Sequence, residues 1–458
     1  MARVFSVVRF NLGLSGLDPA ACLERLLRPG LRGFLIEKNE GGRRRAWLGA
    51  APFEMLTVQR GRAVSETARG KRILKGNPFT ALGKRIAEFR TRHGQDFDGG
   101  AVGLLGYEMV RHLERVPVTA EPYEAVLMLF DEVVVVEDGR ASLRALVSGA
   151  AARKKAAARA KELKELLRWA GPVPDYPPAA RSLPARGRRG RAAFLRGVEK
   201  IKAHIRAGDI FQAVLSDDFH ARVAAGPIAA YRAVRAANPA PYLFLLMGGD
   251  DAVMGASPER LVRVVRGRAR NCPIAGTRPR GKTAAQDRAL ERELRASEKE
   301  RAEHLMLVDL ARNDLGRVCA PGSVKVSRFM FTRRFSNVMH LVSEVEGRLD
   351  AGRTAWDALA ASFPAGTVSG APKVRAMEIL AGLERRPRGF YAGSVIQHDF
   401  AGNLDSCLAI RSLSLSKGGR ARLQAGAGIV ADSDPAAEYW EVQHKLAGLR
   451  RALGALAA

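Results

Sequence analysis

The pattern of apolar and polar positions predicts short strands in the first third of the chain. Residues 1–150 contain short apolar runs such as Ala125–Val136, which ends at Glu137-Asp-Gly139, a sequence typical of a hairpin turn. Residues 151–169 are rich in Ala, Lys and Glu and predict a helix. We therefore expect a mostly β N-terminal region over residues 1–150, with a possible regulatory site.

A proline-rich stretch follows this helix and predicts a linker, because proline interrupts both helices and central strands. Its prolines are Pro172, Pro174, Pro177, Pro178 and Pro184. We assign residues 151–190 to the helix and linker, and residues 191–458 to a catalytic region that is interleaved with the first region in one fold.

The region from residue 191 opens with a helix near Arg191 whose apolar residues share one face. These residues are Phe194, Val198, Ile201 and Ile205. Gly208-Asp209 ends the helix, and a strand is predicted over Ile210–Phe219. Strands and helices then alternate without the regular spacing of repeated βαβ units, and no dinucleotide-binding or P-loop motif is present.

The net charge is strongly positive. The 458 residues include 75 Lys+Arg against 47 Asp+Glu, a formal charge of +28. Nucleic-acid binding would suit this excess, but aromatic residues make up only 6% of the chain and do not interleave with the basic ones. We interpret the excess as a solvated basic surface that also attracts an anionic metabolite; a non-catalytic, nucleic-acid-binding protein is the alternative.

The cysteines do not form a motif. Cys22, Cys272, Cys319 and Cys407 are far apart with no Cys-x-x-Cys pair, which argues against a disulfide framework or a zinc site. No apolar run approaches the ~18 residues needed to span a bilayer. The sequence predicts a cytoplasmic protein with no membrane partner.

Two predicted helices carry Glu-x-x-Glu pairs on faces that continue into apolar residues. The pairs are Glu300 with Glu303, and Glu438 with Glu441. The second helix is predicted to begin at Asp434-Pro435, an N-cap followed by proline at the first helical position. Carboxylates on a buried face cost free energy unless they are paired or bind a cation. The pairs themselves contain only carboxylates, and oxygen ligands favour Mg2+. Two solvent-exposed helix faces are the alternative.

Groups suited to anion binding and proton transfer occur in other segments. Arg411 ends an apolar run and can clamp a carboxylate bidentately. Gly426-Ala-Gly428 follows a strand predicted over Arg420–Ala425 and leaves amides free for an anion. Pro273–Thr277 reads as a small-residue loop, and His340 can transfer protons or serve as a core histidine.

The segment Pro364–Lys373 combines prolines, glycines and small hydroxyl side chains, so it predicts a tight turn rather than a helix or strand. Its amides and the hydroxyls of Thr367 and Ser369 can approach a ligand closely. Together with the segments above, it predicts one wall of an anion-binding pocket.

These segments resemble the chorismate-utilising enzymes, and within them the large subunit (component I) of anthranilate synthase. The resemblance covers roughly residues 195–450, and residues 1–190 match only loosely. The matching segments are Gly208–Gln212, Gly255–Glu259, Pro273–Arg280, Ala302–Asp314, Val338–Leu341, Pro364–Lys373, Tyr391–Gly393, Ala409–Arg411 and Gln424–Gly428 with the acidic helix after it.

The resemblance implies an α+β fold in which two large, mainly antiparallel sheets pack face to face with peripheral helices. It implies Mg2+ bound by Glu303 and Glu441, with Glu300 and Glu438 contributing directly or through water. The implied substrate-binding residues are Gly276, Thr277, Thr367, Tyr391, Arg411, Gly426, Ala427, Gly428 and Lys445. The implied catalytic residues are His340, Glu259 and Thr277.

The implied reaction adds ammonia to C2 of chorismate as the C4 hydroxyl leaves, with Glu259 as the acid, because hydroxide is a poor leaving group. Pyruvate is then eliminated, a step at which the resemblance places His340. None of the cysteines lies in a sequence context typical of a glutaminase nucleophile. We therefore expect ammonia to come from a separate glutamine amidotransferase subunit (component II), and we expect this chain alone to use free ammonium.

A few positions distinguish among the related reactions. Gln212 stands where related isochorismate and salicylate synthases carry a lysine base, and Ala275 stands where many aminodeoxychorismate synthases carry a lysine nucleophile. With Thr367-Val-Ser369, these residues favour anthranilate and tryptophan biosynthesis. Leu215 and Ile396-Gln397 depart from that pattern, so aminodeoxychorismate synthase component I, in the folate branch, is the alternative.

A possible inhibitor site lies in the N-terminal region. Its candidate residues are Leu35, Glu37, Lys38, Pro241 and Tyr242. The related site has a serine where this chain has Lys38, whose charge opposes the ammonium group of tryptophan. We therefore expect weak or absent inhibition by tryptophan.

Overall fold

The structure is a computed structural model. It describes residues 3–27, 30–40, 42–91, 94, 96–172, 182–249, 251–335 and 338–457. Of the predicted proline-rich linker, residues 173–181 lie outside the described residues.

The strands in the first part of the described chain are β1 (Arg3–Asn11), β2 (Arg32–Glu40), β3 (Arg43–Ala50), β4 (Glu54–Gln59), β5 (Arg62–Thr67), β6 (Gly70–Leu74), β7 (Phe89–Thr91), β8 (Gly100–Leu105), β9 (Tyr123–Phe130), β10 (Glu132–Glu137) and β11 (Arg140–Val147). The later strands are β12 (Arg186–Gly187), β13 (Gln212–Arg222), β14 (Tyr242–Gly248), β15 (Ala252–Ser257), β16 (Arg260–Val265), β17 (Arg268–Asn271), β18 (Ile274–Pro279), β19 (Lys325–Arg334), β20 (Val338–Arg348), β21 (Gly370–Ala371), β22 (Ser394–Asp399), β23 (Leu404–Leu408), β24 (Ser412–Ser416) and β25 (Arg420–Ile429).

The helices of the described residues are α1 (Pro19–Leu26), α2 (Pro78–Ala87), α3 (Ala150–Leu167), α4 (Arg191–Arg206), α5 (Pro227–Ala237), α6 (Ala284–Ala296), α7 (Glu298–Gly316), α8 (Ala355–Ser362), α9 (Lys373–Glu384) and α10 (Pro435–Ala452). The helices predicted over residues 151–169, from Arg191 and after Asp434 are all present. Asp434 caps α10 by accepting a hydrogen bond from the Ala437 amide at 2.7 Å, with Pro435 at the first helical position.

The strands form two large sheets. The first sheet has the order β12-β13-β25-β24-β15-β14-β2-β3-β10-β11-β1-β7, with β21 beside β13. The second has the order β18-β20-β17-β16-β23-β22-β8-β9-β4-β5-β6, with β19 beside β20. Neighbouring strands are antiparallel at nearly every described pairing, and β1 with β7 is a parallel pair.

The two sheets pack face to face through a shared apolar core. Phe34 and Phe244 from the first sheet meet Val102, Met128 and Val395 from the second, and all five are buried. The outer face of the first sheet packs on α1, α3, α4, α5 and α10. The outer face of the second packs on α2, α7 and α8. This arrangement confirms the predicted α+β fold.

The apolar run Ala125–Val136, which the sequence analysis treats as one run, belongs to two strands. It contains the end of β9 and most of β10, which belong to different sheets. The chain crosses between the sheets at Asp131, whose carbonyl accepts a hydrogen bond from the Leu146 amide at 2.7 Å. The predicted turn at Glu137-Asp-Gly139 does join β10 to β11.

Within the described part of the chain, no helix combines the length and the apolar character that crossing a membrane requires.

Candidate active site

The two acidic helix faces meet. Burial raises the pKa of Glu303, and the negative charges of Glu300, Glu438 and Glu441 raise it further, against an opposing effect of Lys299. Burial also raises the pKa of Glu438, whose carboxylate accepts a hydrogen bond from Ser433 Oγ at 2.7 Å. The glutamates of α7 therefore lie close to those of α10, and mutual repulsion favours their binding a cation.

These carboxylates suit a metal that keeps water or substrate ligands. Among the described residues, no group of three or more His, Cys, Asp or Glu side chains is placed so that it could hold a metal ion by itself. Glu300 is paired with Arg278 at 3.1 Å and Glu441 with Lys445 at 2.6 Å. Mg2+ commonly binds through one or two carboxylates and completes its coordination with water or substrate oxygens. The facing, mutually repelling glutamates fit that requirement.

His340 lies on β20, opposite a bulge in β18. Its Nδ1 is 2.9 Å from the carbonyl oxygen of Gly276 and 3.1 Å from Thr277 Oγ1. A carbonyl can only accept, so Nδ1 carries the proton and Nε2 is left as an acceptor. Burial lowers the pKa of His340. The geometry therefore favours a neutral imidazole with a basic Nε2.

Gly276 permits the close approach of β18 to α7. Its φ of +66° is left-handed, and a Cβ there would lie 3.0 Å from Glu300 Oε2. The segment Pro273–Thr277, predicted to be a loop, is mostly strand, because residues from Ile274 onward pair with β20. The register of this pairing shifts at a bulge between Ala275 and Thr277.

The predicted turn Pro364–Lys373 positions Thr367 against a buried acid. Thr367 Oγ1 donates a hydrogen bond to Glu259 Oε1 at 2.7 Å. Burial raises the pKa of Glu259 to about 7, although Thr367 and the charge of Lys445 oppose the change. A Cβ at Gly366 would lie 1.9 Å from Leu310 Cδ2, so the turn packs directly on α7. Glu259 can therefore hold or release a proton near neutral pH.

Three side chains predicted to hold a carboxylate converge around Gly426. Lys445 Nζ donates to the Gly426 carbonyl at 2.8 Å, and Arg411 Nη1 donates to the Lys445 carbonyl at 3.2 Å. The Tyr391 hydroxyl lies 3.0 Å from the position of a Cβ on Gly426. Burial raises the pKa of Tyr391 to about 12, so it remains a hydrogen-bond donor.

The sequence predicted that residues 426–428 follow a strand. They lie instead within β25, which includes Gly426, Ala427 and Gly428. They pair with β13, where Gly428 faces Val214 and Gly426 faces Ser216. The pairing of β25 with β24 ends at Leu423, so among described strands that edge of residues 426–428 has no partner. A Cβ at Gly428 would lie 2.5 Å from Gln212 Nε2, so the Gln212 side chain lies against Gly428.

Sequence reasoning missed the buried pair Arg388 and Glu384. Arg388 is 1% exposed, and its guanidinium binds the Glu384 carboxylate at 2.8 Å. It also donates to the carbonyls of Val368 and Val214 at 2.6 and 2.7 Å. Glu384 accepts from the amide and hydroxyl of Ser216, both at 2.9 Å. This pair connects the turn that carries Thr367 to β13. The local sequence around Arg388 does not distinguish it from the many exposed arginines, so it could not be found from the sequence.

Arg388→Leu should lower the free energy of unfolding by about 3–5 kcal/mol, because it leaves the Glu384 carboxylate and two carbonyls without their partner. Urea denaturation measures the change. Arg386→Leu is the matched control at an exposed arginine, where a change within about 0.5 kcal/mol is expected. Equal stability of the two variants would contradict the anchoring role.

The candidate inhibitor residues lie on β2 and at the start of β14, but they divide between two faces. Leu35 and Glu37 are on the helix-covered face of the first sheet, and Lys38 and Tyr242 are on the face toward the second sheet. Leu35 is fully buried, and Glu37 accepts a hydrogen bond from the Tyr231 hydroxyl at 2.6 Å. Lys38 Nζ and the Tyr242 hydroxyl both contact Asp405, at 2.8 and 3.0 Å. The Pro241 carbonyl accepts from the Asn39 amide at 3.2 Å.

Comparison with known proteins identifies the family of this chain. A family model described as chorismate binding enzyme matches residues 33–451. Anthranilate synthase component 1 of Acetivibrio thermocellus is 41% identical over 443 residues, covering 92% of this chain and 90% of the relative. The protein of the same name from Streptomyces coelicolor is 42% identical over 463 residues, covering 95% and 87%.

Solved structures show the same fold. Anthranilate synthase component I from Streptococcus pneumoniae superimposes with a TM-score of 0.75 at 34% identity, covering 91% of this chain and 92% of that one. The menaquinone-specific isochorismate synthase from Escherichia coli gives a TM-score of 0.74 at 22% identity, covering 99% and 95%. The chain therefore belongs to the chorismate-binding enzyme family, with relatives named anthranilate synthase component 1.

Proposed function

We propose that this enzyme is the large subunit of an anthranilate synthase, a lyase that converts chorismate and ammonia into anthranilate and pyruvate. The observation that carries the proposal is an acid placed together with a neutral base. The acid is Glu259, hydrogen-bonded to Thr367 and with its pKa raised to about 7, and the base is His340, whose pKa is lowered by burial. One can supply a proton and the other can accept one. The names of the relatives support the same reaction.

The charged groups suit a dianionic substrate. Arg411, Lys445, Tyr391 and the open edge of residues 426–428 would hold the enolpyruvyl carboxylate. Glu303 and Glu441 would hold Mg2+, with Glu300 and Glu438 contributing directly or through water. When bound, the metal would neutralise the ring carboxylate and fix its position between the acidic helices.

Glu259 and His340 carry out different proton transfers in the reaction. Ammonia forms a bond to C2 while the C4–oxygen bond breaks, and Glu259 donates the proton that lets the hydroxyl leave as water. The added amine loses a proton, and His340 Nε2 then removes the proton from C2 as the bond from C3 to the enolpyruvyl oxygen breaks. The ring becomes aromatic, and the released enolpyruvate takes up a proton to give pyruvate. Gly276 and Thr277 orient His340 throughout, and Gly276, Thr277 and Thr367 line the ring.

The ammonia would come from a glutamine amidotransferase subunit, in the cytoplasm and in the route to tryptophan. The relatives' name, component 1, supports a partner subunit. All four cysteines of this chain are buried, and burial raises the pKa of Cys22 and Cys407 to about 12. Such thiols are poor nucleophiles, so this chain is not its own glutaminase.

Product identification tests the function. The purified chain is supplied with chorismate, Mg2+ and ammonium, and we expect fluorescent anthranilate with an equal amount of pyruvate. Glutamine in place of ammonium should give no product. An aminated, non-aromatic product that keeps its pyruvyl group would show an aminodeoxychorismate synthase instead. No turnover, together with salt-sensitive nucleic-acid binding, would favour the non-catalytic alternative.

The structure weakens the main evidence for aminodeoxychorismate. Leu215 is fully buried in the core between the first sheet and its helices, and it packs against Gly197 of α4. Alternation along β13 points it away from Gln212 and the open edge of β25. Its identity therefore reflects helix packing more than the choice of reaction.

Tryptophan should inhibit this enzyme weakly or not at all. The ammonium of Lys38, paired with Asp405, places a positive charge where the ligand's own ammonium would need a partner. Initial rates measured against tryptophan concentration test this expectation. Lys38→Ser removes this positive charge, so tryptophan should inhibit that variant more strongly. Tight inhibition of the unmodified enzyme would contradict the prediction.

A further inference from the structure

An arginine-lined cavity lies between the end of β2, the start of β14 and strands β16 to β19. Its volume is about 680 Å³. Six arginines line it: Arg260, Arg263, Arg270, Arg280, Arg333 and Arg334. Glu344 is the acidic residue in its wall. The wall contains none of the residues that we assign to chorismate or Mg2+. It does include Pro241 and Tyr242, two of the candidate inhibitor residues.

The carboxylate of Glu344 does not neutralise the arginines around it. Its oxygens lie 3.8 Å from Arg270, 3.8 Å from Arg328 and 3.7 Å from Arg333. These separations are longer than charge-assisted hydrogen bonds, which are about 2.7–2.9 Å. Glu344 therefore has three guanidinium groups around it and a hydrogen bond to none of them, and one of the three, Arg270, also pairs with Glu346 at 3.2 Å.

Other arginines of the wall are held in place from outside the cavity. Arg280 binds Asp287 through Nε at 2.8 Å and Nη2 at 2.9 Å, and Arg334 also contacts Asp287, at 3.5 Å. Arg260 lies 3.4 Å from Asp405. Asp287 and Asp405 are not part of the wall. The wall is thus pre-organised, and little side-chain entropy is lost when these arginines contact a ligand.

We propose that this cavity binds a small polyanion carrying two or more carboxylate or phosphate groups. Arginine forks match the planar oxygen pairs of both groups. The volume is within the range of about 300–1,000 Å³ that small-molecule sites occupy. A zwitterionic amino acid is a poor fit, because its ammonium group would meet the arginines of the wall.

The cavity is one aromatic contact away from the catalytic histidine. Arg280 Nη1 donates to the Phe335 carbonyl at 2.7 Å, and Phe335 is itself part of the wall. The rings of Phe335 and His340 pack edge to face with centroids 5.5 Å apart. Through these contacts, an anion bound by Arg280 would affect the environment of His340. This effect is separate from any electrostatic attraction between the arginines and chorismate.

Isothermal titration calorimetry of the full, metal-free chain tests the proposal, with citrate and pyrophosphate as probes. We expect saturable binding of at least one; which one binds separates a carboxylate ligand from a phosphate ligand. Arg333→Gln should weaken that binding about tenfold, as expected for one charge-assisted contact. Glu344→Gln should strengthen it. Arg270→Gln replaces Arg333→Gln if that variant does not fold.

Arg353→Gln is the matched control, at an exposed arginine 3.9 Å from Asp357 and outside the cavity. Its binding of the probes should be unchanged. The proposal fails if neither probe binds saturably, or if Arg333→Gln and Arg353→Gln weaken binding equally. It also fails if chorismate displaces the probe and Lys445→Gln abolishes its binding, because the probe would then occupy the chorismate site.

Discussion

Replacing Glu303 by Gln should reduce kcat/KM for chorismate by at least about a thousandfold, a loss of ~4 kcal/mol in transition-state stabilisation. The amide removes one negative ligand from the space between α7 and α10, where Glu303 is partly buried beside the other carboxylates. Steady-state rates with ammonium, measured over a range of Mg2+ concentrations, give the result. The Mg2+ concentration required for half-maximal activity should also rise.

Glu298→Gln is the matched control for this substitution. Glu298 lies in the first turn of the same helix and is exposed. The two variants make the same chemical change, so a loss confined to Glu303→Gln reports the metal site rather than the helix. Full activity of Glu303→Gln with an unchanged Mg2+ dependence would show that the metal assignment is wrong.

Replacing Glu259 by Gln should lower kcat by about 10²–10⁴-fold, the usual contribution of a positioned general acid. The glutamine can still accept the hydrogen bond from Thr367 but cannot protonate the departing hydroxyl. In the unmodified enzyme the pKa of Glu259 is raised to about 7, so the acid is protonated below that pH. At constant un-ionised ammonia, kcat/KM should therefore be full below pH 7 and fall as the pH rises above it.

The pH profile separates an acid from a merely structural residue. The falling limb near pH 7 should be absent from Glu259→Gln, and its persistence would contradict the assignment. Thermal unfolding supplies the folding control. The carboxyl pKa is raised in the folded state, so ionisation costs the unmodified protein stability as the pH rises from about 4.5 through 7. The variant lacks this cost, and its Tm at pH 8 should be at least as high.

Local patterns predicted the features of the fold and site that depend on neighbours along the chain. The stripes through Glu303 and Glu441, the cap at Asp434 and the turn around Thr367 are set by helical spacing and by proline and glycine chemistry. These signals need no knowledge of distant residues. The resemblance supplied the two-sheet arrangement, which no local pattern gives.

Features that depend on distant contacts could not be predicted in this way. The run through Asp131 is apolar on both sides of Asp131-Glu132 because each half is buried, and burial does not reveal that the halves enter different sheets. Gly426 and Gly428 resemble a loop in composition, yet pairing with β13 makes them part of a strand. Arg388 binds groups 20 and 174 residues away in sequence, so its burial depends on the assembled fold.

The anchoring of the turn by Arg388 restricts how the reaction of this enzyme can change during evolution. One guanidinium holds the backbone of the turn at Val368 and that of β13 at Val214, so neither segment can shift alone without exposing an unpaired buried charge. A new chemistry on this scaffold must therefore come from replacing side chains on a fixed backbone. Gln212, on β13, is such a position, and we expect a single substitution there to change which nucleophile the pocket can activate.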